Sequence, residues 1–128
     1  MITYAERECF HPSHLKLLSR VQAIVARVSD AWGNELRCHE LARAVHRVIG
    51  DSTIVVIDGH CGIIEHSWLR CGDGVIIDPY APGRVPAVQV VDPLAGGYRP
   101  GVARRDVRRS VIKRLVNEMR DLPAQSVS

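Results

Sequence analysis

The sequence predicts an α+β domain, helices packed on a small antiparallel sheet, and three observations carry that expectation. Apolar residues recur at three- and four-residue steps between Leu15 and Ile49. The period then shortens to β-branched runs on either side of Gly72-Asp73-Gly74, and a helical period returns after Ala103.

The elements follow in order. Pro12-Ser13 opens a first helix, with Ser13 placed to cap free amides. Leu15, Leu18, Val21, Val25, Val28 and Trp32 form its apolar stripe, which ends near Gly33. A second helix starts between Asn34 and Cys38 and runs to Ile49, with Gly50 as its stop. Its apolar face is Leu41, Ala42, Val45, Val48 and Ile49, and Cys38 lies on that face one turn earlier. Thr53 to Ile57 reads as a buried strand and Ile63 to Cys71 as another. After the glycine turn, Val75 to Asp78 returns antiparallel. Ala87 to Val91 is a further short strand, and Asp92 to Gly101 is loop. A last helix spans Ala103 to Leu122, burying Val107, Val111, Leu115, Met119 and Leu122, with Pro123 following it.

With 128 residues the chain is expected to be a single domain, 1–128. Its 46% apolar and 24% charged residues are those of a globular protein, and aromatics are so few that Val, Ile, Leu and Ala must build the core. A net charge of +3 is weak support for a polyanionic partner. The run Arg104-Arg105-Asp106-Val107-Arg108-Arg109 reads as a solvated helix face in preference to a nucleic-acid contact. No apolar run is long enough to span a membrane, and Met1 to Phe10 lacks the apolar core of a secretory signal. A cytoplasmic location is therefore expected, although signal-independent secretion would leave no mark. Cys9, Cys38, Cys61 and Cys71 then read as reduced thiols.

One constellation carries chemistry. A nucleophilic thiol needs a lowered pKa, a base in reach and a third group orienting that base. Cys38 in the first turn of a helix meets exposed amides and the positive end of the dipole. Its own N–H is one donor for an oxyanion hole, and the Asn34 side chain is a candidate second donor. His66 lies mid-strand and Asp78 ends the next strand. A hairpin turning near Gly72 pairs positions whose numbers sum to about 144 to 146. His66 and Asp78 therefore fall opposite each other or one diagonal step apart, where Asp78 can orient the imidazole.

A Cys opening a helix, His66-Ser67-Trp68 on a strand, and Asp78-Pro79 after a hairpin resemble the Cys-His-Asp pattern of the transglutaminase-like, broadly papain-like, cysteine hydrolases. The resemblance covers about residues 34 to 80. It implies a papain-like core and attack by the Cys38 thiolate on an amide or ester carbonyl. A thioester would then be resolved by water or an amine, with His66 as base and Asp78 as its orienting partner. Proteases, amidases, protein deamidases and crosslinking acyltransferases share that chemistry. The substrate would be a protein, a peptide or a small amide, and no cofactor or metal is implied. The chain is short for this superfamily, and no glutamine precedes Cys38 to complete a papain-type oxyanion hole.

Other readings stand beside this one. Cys38 on an apolar face is also what a buried structural thiol looks like, and Trp68 reads as core more readily than as a substrate platform. Cys61, beside His60, is the rival nucleophile, but it sits at a strand end or turn without a helix terminus to activate it. Cys9, His11, His14, Cys38, His39, His60, Cys61, His66 and Cys71 offer ligands for a zinc-binding structural or interaction module, yet lack finger-like paired spacing. An inactive superfamily member acting as a binding domain is a third reading.

Overall fold

The computed structural model describes residues 12–80, 89–91 and 97–127, and their fold is α+β. Helix α1 (Pro12–Val25), a 3-10 segment (Asp30–Glu35) and helix α2 (Cys38–Ile49) come first. Strands β1 (Val55–Cys61), β2 (Ile64–Arg70), β3 (Ile76–Asp78), β4 (Gln89–Val91) and β5 (Tyr98–Pro100) follow, and helix α3 (Arg109–Val127) ends the chain. Every strand pairing is antiparallel, in the order β4-β3-β2-β1-β5.

The core lies between the helices and one face of the sheet. Leu18, Val21 and Ile24 of α1, Leu41, Ala44 and Val45 of α2, and Ile112, Leu115 and Met119 of α3 meet Leu69 and Ile77 in one buried cluster. Leu41, Val45, Leu69, Ile77 and Leu115 are wholly excluded from solvent. Truncating any one of these large side chains to Ala would cost about 2–5 kcal/mol in a core that cannot collapse around the hole.

The sequence placed the helices and the central hairpin but misjudged several ends. The first helix stops at Val25, and Trp32 belongs to the separate 3-10 segment. Ser29 opens that segment by accepting from the Ala31 amide at 3.1 Å. Glu118 of α3 holds it by accepting from Ser29 N at 2.9 Å and Trp32 Nε1 at 2.8 Å. The last helix begins at Arg109, six residues later than its apolar period suggests. Intervening amides have better partners: Arg104 N bonds Asp58 Oδ2 at 3.0 Å and Arg108 N bonds Glu40 Oε2 at 3.1 Å, while Gly101 N, just ahead of them, bonds Asp58 O at 2.8 Å. That helix also continues past Pro123 to Val127.

The first strand runs on to Cys61 because β2 and β5 flank it, and β5 lies in the stretch that reads as loop. Gly59 makes that flanking possible. It pairs with Pro100, and a Cβ there would sit 2.1 Å from the Arg99 carbonyl oxygen, so only glycine lets β5 seat this closely. Ala87 and Val88 of the anticipated fourth strand, and Asp92 to Gly96 of the anticipated loop, lie outside the described residues.

Candidate active site

Cys38 is the first residue of α2, and among the described residues no side chain caps the amides around it. The residue before the helix, Arg37, is extended and makes no side-chain cap. The first amide bonded inside the helix is that of Leu41, to Arg37 O, so those of Cys38, His39 and Glu40 point out of the helix end. That is the environment a thiolate or an oxyanion prefers. The helix end is held by Glu40, which is completely buried. Its two carboxylate oxygens accept from Arg37 Nε at 2.9 Å, Arg37 Nη2, Arg108 N at 3.1 Å and Arg108 Nη2 at 2.8 Å. Burial raises the Glu40 pKa, but these guanidinium and amide donors outweigh it and bring it down to about 2.

The hairpin supplies a buried imidazole. Leu69 pairs with Ile77 and Arg70 with Ile76, a sum of 146, which continues to Trp68 against Asp78. His66 is therefore one diagonal step from Asp78, on the same face. The two bond at 2.7 Å through His66 Nε2 and Asp78 Oδ2, with exposures of 2% and 0%. Asp78 also accepts from the Tyr98 hydroxyl at 2.6 Å and the Tyr80 amide at 3.1 Å. The carboxylate is an acceptor in every contact, so Nε2 carries a proton and Nδ1 is left for the Cys38 sulfur.

The two groups move each other's pKa in opposite directions. Burial pushes the Cys38 thiol up, but hydrogen bonds to His39 and His66, the His66 charge and the Ser67 backbone together bring it down to about 6. Burial pushes His66 down, but hydrogen bonds to Asp78 and Cys38 and their charges raise it to about 9. Between those values the pair is thiolate and imidazolium. The other described thiols shift the opposite way. Burial and the Asp78 charge raise Cys61, with Tyr98 opposing only in part, and burial followed by Asp73 and Asp51 raises Cys71 to about 11.

The structure thus brings Cys38, His66 and Asp78 together. Asn34 lies exposed in the 3-10 segment, four residues ahead of the helix, rather than in the first turn of α2. Trp68 is 1% exposed, its ring stacked on His66 at 5.9 Å and edge-on to Tyr98 at 5.2 Å. It walls the imidazole in and has no free face for a substrate. Two contributors were not read from the sequence. Tyr98 comes from the unanticipated β5. His39 follows Cys38 directly, with Nδ1 3.6 Å and Nε2 3.9 Å from the sulfur. Its place next to Cys38 in the sequence was the one available signal.

Among the described residues no group of three or more His, Cys, Asp or Glu is placed to hold a metal ion. Cys9 and His11 of the zinc reading lie outside those residues. No described helix is long and apolar enough to cross a membrane. Comparison with protein families, with curated proteins and with solved structures finds no match for this chain.

Proposed function

We propose that this chain is a cysteine hydrolase or acyltransferase with a transglutaminase-like core, acting on an amide or ester carbonyl through a Cys38 thioester. The observation that carries the reading is the thiol on a bare helix end, linked through His66 to the buried carboxylate of Asp78. In the first step the Cys38 thiolate attacks the carbonyl carbon, and the carbon–sulfur bond forms. The negative oxygen is met by the Cys38 N–H. The bond to the leaving amine or alcohol breaks as the His66 imidazolium donates its Nδ1 proton to it. In the second step water, or an acceptor amine, attacks the thioester and gives a proton to His66, and the sulfur leaves as thiolate. Asp78 keeps His66 in one tautomer and stabilises its cation throughout.

The test is the pH dependence of Cys38 alkylation by iodoacetamide, read by mass spectrometry, in the native protein and in His66→Ala. At pH 6 a thiol of pKa 6 is half ionised, whereas one near 9 is ionised about one part in a thousand. The lower basicity reduces intrinsic nucleophilicity by about 20-fold, leaving a net advantage of a few tens. Labelling with a midpoint near 6 that moves up in His66→Ala is the expected result. A midpoint in the ordinary thiol range, unaffected by His66→Ala, would sink the enzyme reading and leave a binding domain.

A further inference from the structure

We propose that His39 is a second imidazole acting on the Cys38 sulfur, so that the nucleophile is served by two hydrogen-bonded wires, one on each face of the sheet. The inference rests on the reading of Cys38 as the nucleophile.

The geometry is laid out by β2. Successive residues of a strand point to opposite faces, so His66 and Ser67 diverge from one stretch of backbone, and that backbone bonds the sulfur. On one face runs the wire from His66 to Asp78. On the other, His39 Nδ1 lies 2.7 Å from Ser67 Oγ, and Ser67 Oγ donates to Asp58 Oδ1 at 2.6 Å. Asp58 pairs with Ser67 in the β1–β2 register, so the second wire is as firmly built as the first. Its far end is anchored, because Asp58 Oδ2 accepts from Arg43 at 2.6 Å and from Arg104 N at 3.0 Å.

The direction of the wire follows from its far end. Hydrogen bonds from Arg43, Ser67 and Arg104 hold Asp58 below its ordinary range although burial pushes it up, so it is a carboxylate and can only accept. The Ser67 proton therefore points to Asp58, the Ser67 oxygen must accept, and His39 Nδ1 carries a proton. The Nδ1–H is given to Ser67, and the ring so held borders the sulfur, with Nδ1 at 3.6 Å and Nε2 at 3.9 Å from it. The charged and titratable groups around Cys38 are Arg37 and His39 from its own helix end and His66 from β2. Asp58 and Arg43 stand behind His39, and Asp78 and Tyr98 behind His66. His39 is 7% exposed, buried enough for its hydrogen bond to resist competition from water.

The experiment extends the alkylation series to His39→Ala, Ser67→Ala and the His39→Ala/His66→Ala double variant. Removing His39 should raise the labelling midpoint by about one pH unit. Ser67→Ala should move it the same way by less, and the double variant should label like a free thiol, near pH 8.5. Should His39→Ala fail the circular dichroism check for folding, His39→Gln, which keeps a donor toward Ser67, replaces it with the same expected direction. A folded His39 variant whose profile superimposes on the native one, while His66→Ala shifts, would overturn this inference and leave the Cys38–His66 reading standing. An unchanged Ser67→Ala profile would overturn the wire. A native midpoint already in the ordinary thiol range would remove both proposals together.

Discussion

The two faces of the sheet carry similar parts to different ends. Behind His66 stands Asp78, whose described partners besides the imidazole are the neutral Tyr98 hydroxyl and Tyr80 amide. Its negative charge is left for His66 to answer, and His66 is raised to about 9. Behind His39 a hydroxyl is interposed, and Asp58 is already answered by the Arg43 guanidinium. That wire orients its imidazole without pulling on it with an unmatched charge. A carboxylate near a histidine does not by itself make a charged catalytic pair; what else the carboxylate touches decides.

The largest effect should come from the Glu40 clamp at the start of α2, the helix end that carries both Cys38 and His39. Glu40→Ala removes the buried carboxylate that Arg37 and Arg108 share, and because those side chains are about a third exposed and can turn to water the cost should be about 2–3 kcal/mol in urea unfolding. The sign with pH follows from its depressed pKa. The contribution of Glu40 is fully present above its ordinary value of 4.5 and is lost as pH falls toward about 2. Stability of the native protein should fall across that window, and Glu40→Gln should flatten the dependence.

Next in size, His66→Ala should slow labelling at pH 6 by about tenfold or more, because the thiolate loses its charged partner. Asp78→Asn should be milder for labelling yet plain in the imidazole titration. The midpoint of His66, followed by NMR, should drop from about 9 toward the ordinary 6.5. An unchanged midpoint would mean that Asp78 does not set the asymmetry between the faces. The smallest effect belongs to Tyr98→Phe, which removes one hydrogen bond to Asp78 and should cost about 1 kcal/mol in stability, with a several-fold change in labelling at most.

How much of this was legible depends on how local each signal is. The His66–Asp78 pair was readable because a tight turn at Gly72-Asp73-Gly74 fixes register by arithmetic, and the residues are only 12 apart. Helix α2 was readable from its period and from Gly50, whose left-handed φ of 68° ends it. The second wire needs Asp58 opposite Ser67, and therefore a first strand that continues through Asp58-Gly59-His60-Cys61. That polar stretch is strand only because two neighbours pair with it, one of them 37 to 41 residues away in sequence. Residues 103–108 escaped for the same reason: two of their amides answer the carboxylates of Asp58 and Glu40, which no period reveals.

The burial of His66 and Asp78 has a consequence for proton traffic. With 2% and 0% of their surfaces open, neither group exchanges protons with bulk water across its own face. The Nε2–H is sealed between imidazole and carboxylate, so in the proposed reaction the working proton enters and leaves by the other nitrogen, Nδ1. In that reaction Cys38, half-buried at the helix end, is then the gate as well as the nucleophile. Any group that caps the sulfur, an acyl chain or an alkylating reagent alike, closes the imidazole's route to solvent until it departs or water reaches Nδ1 beside it.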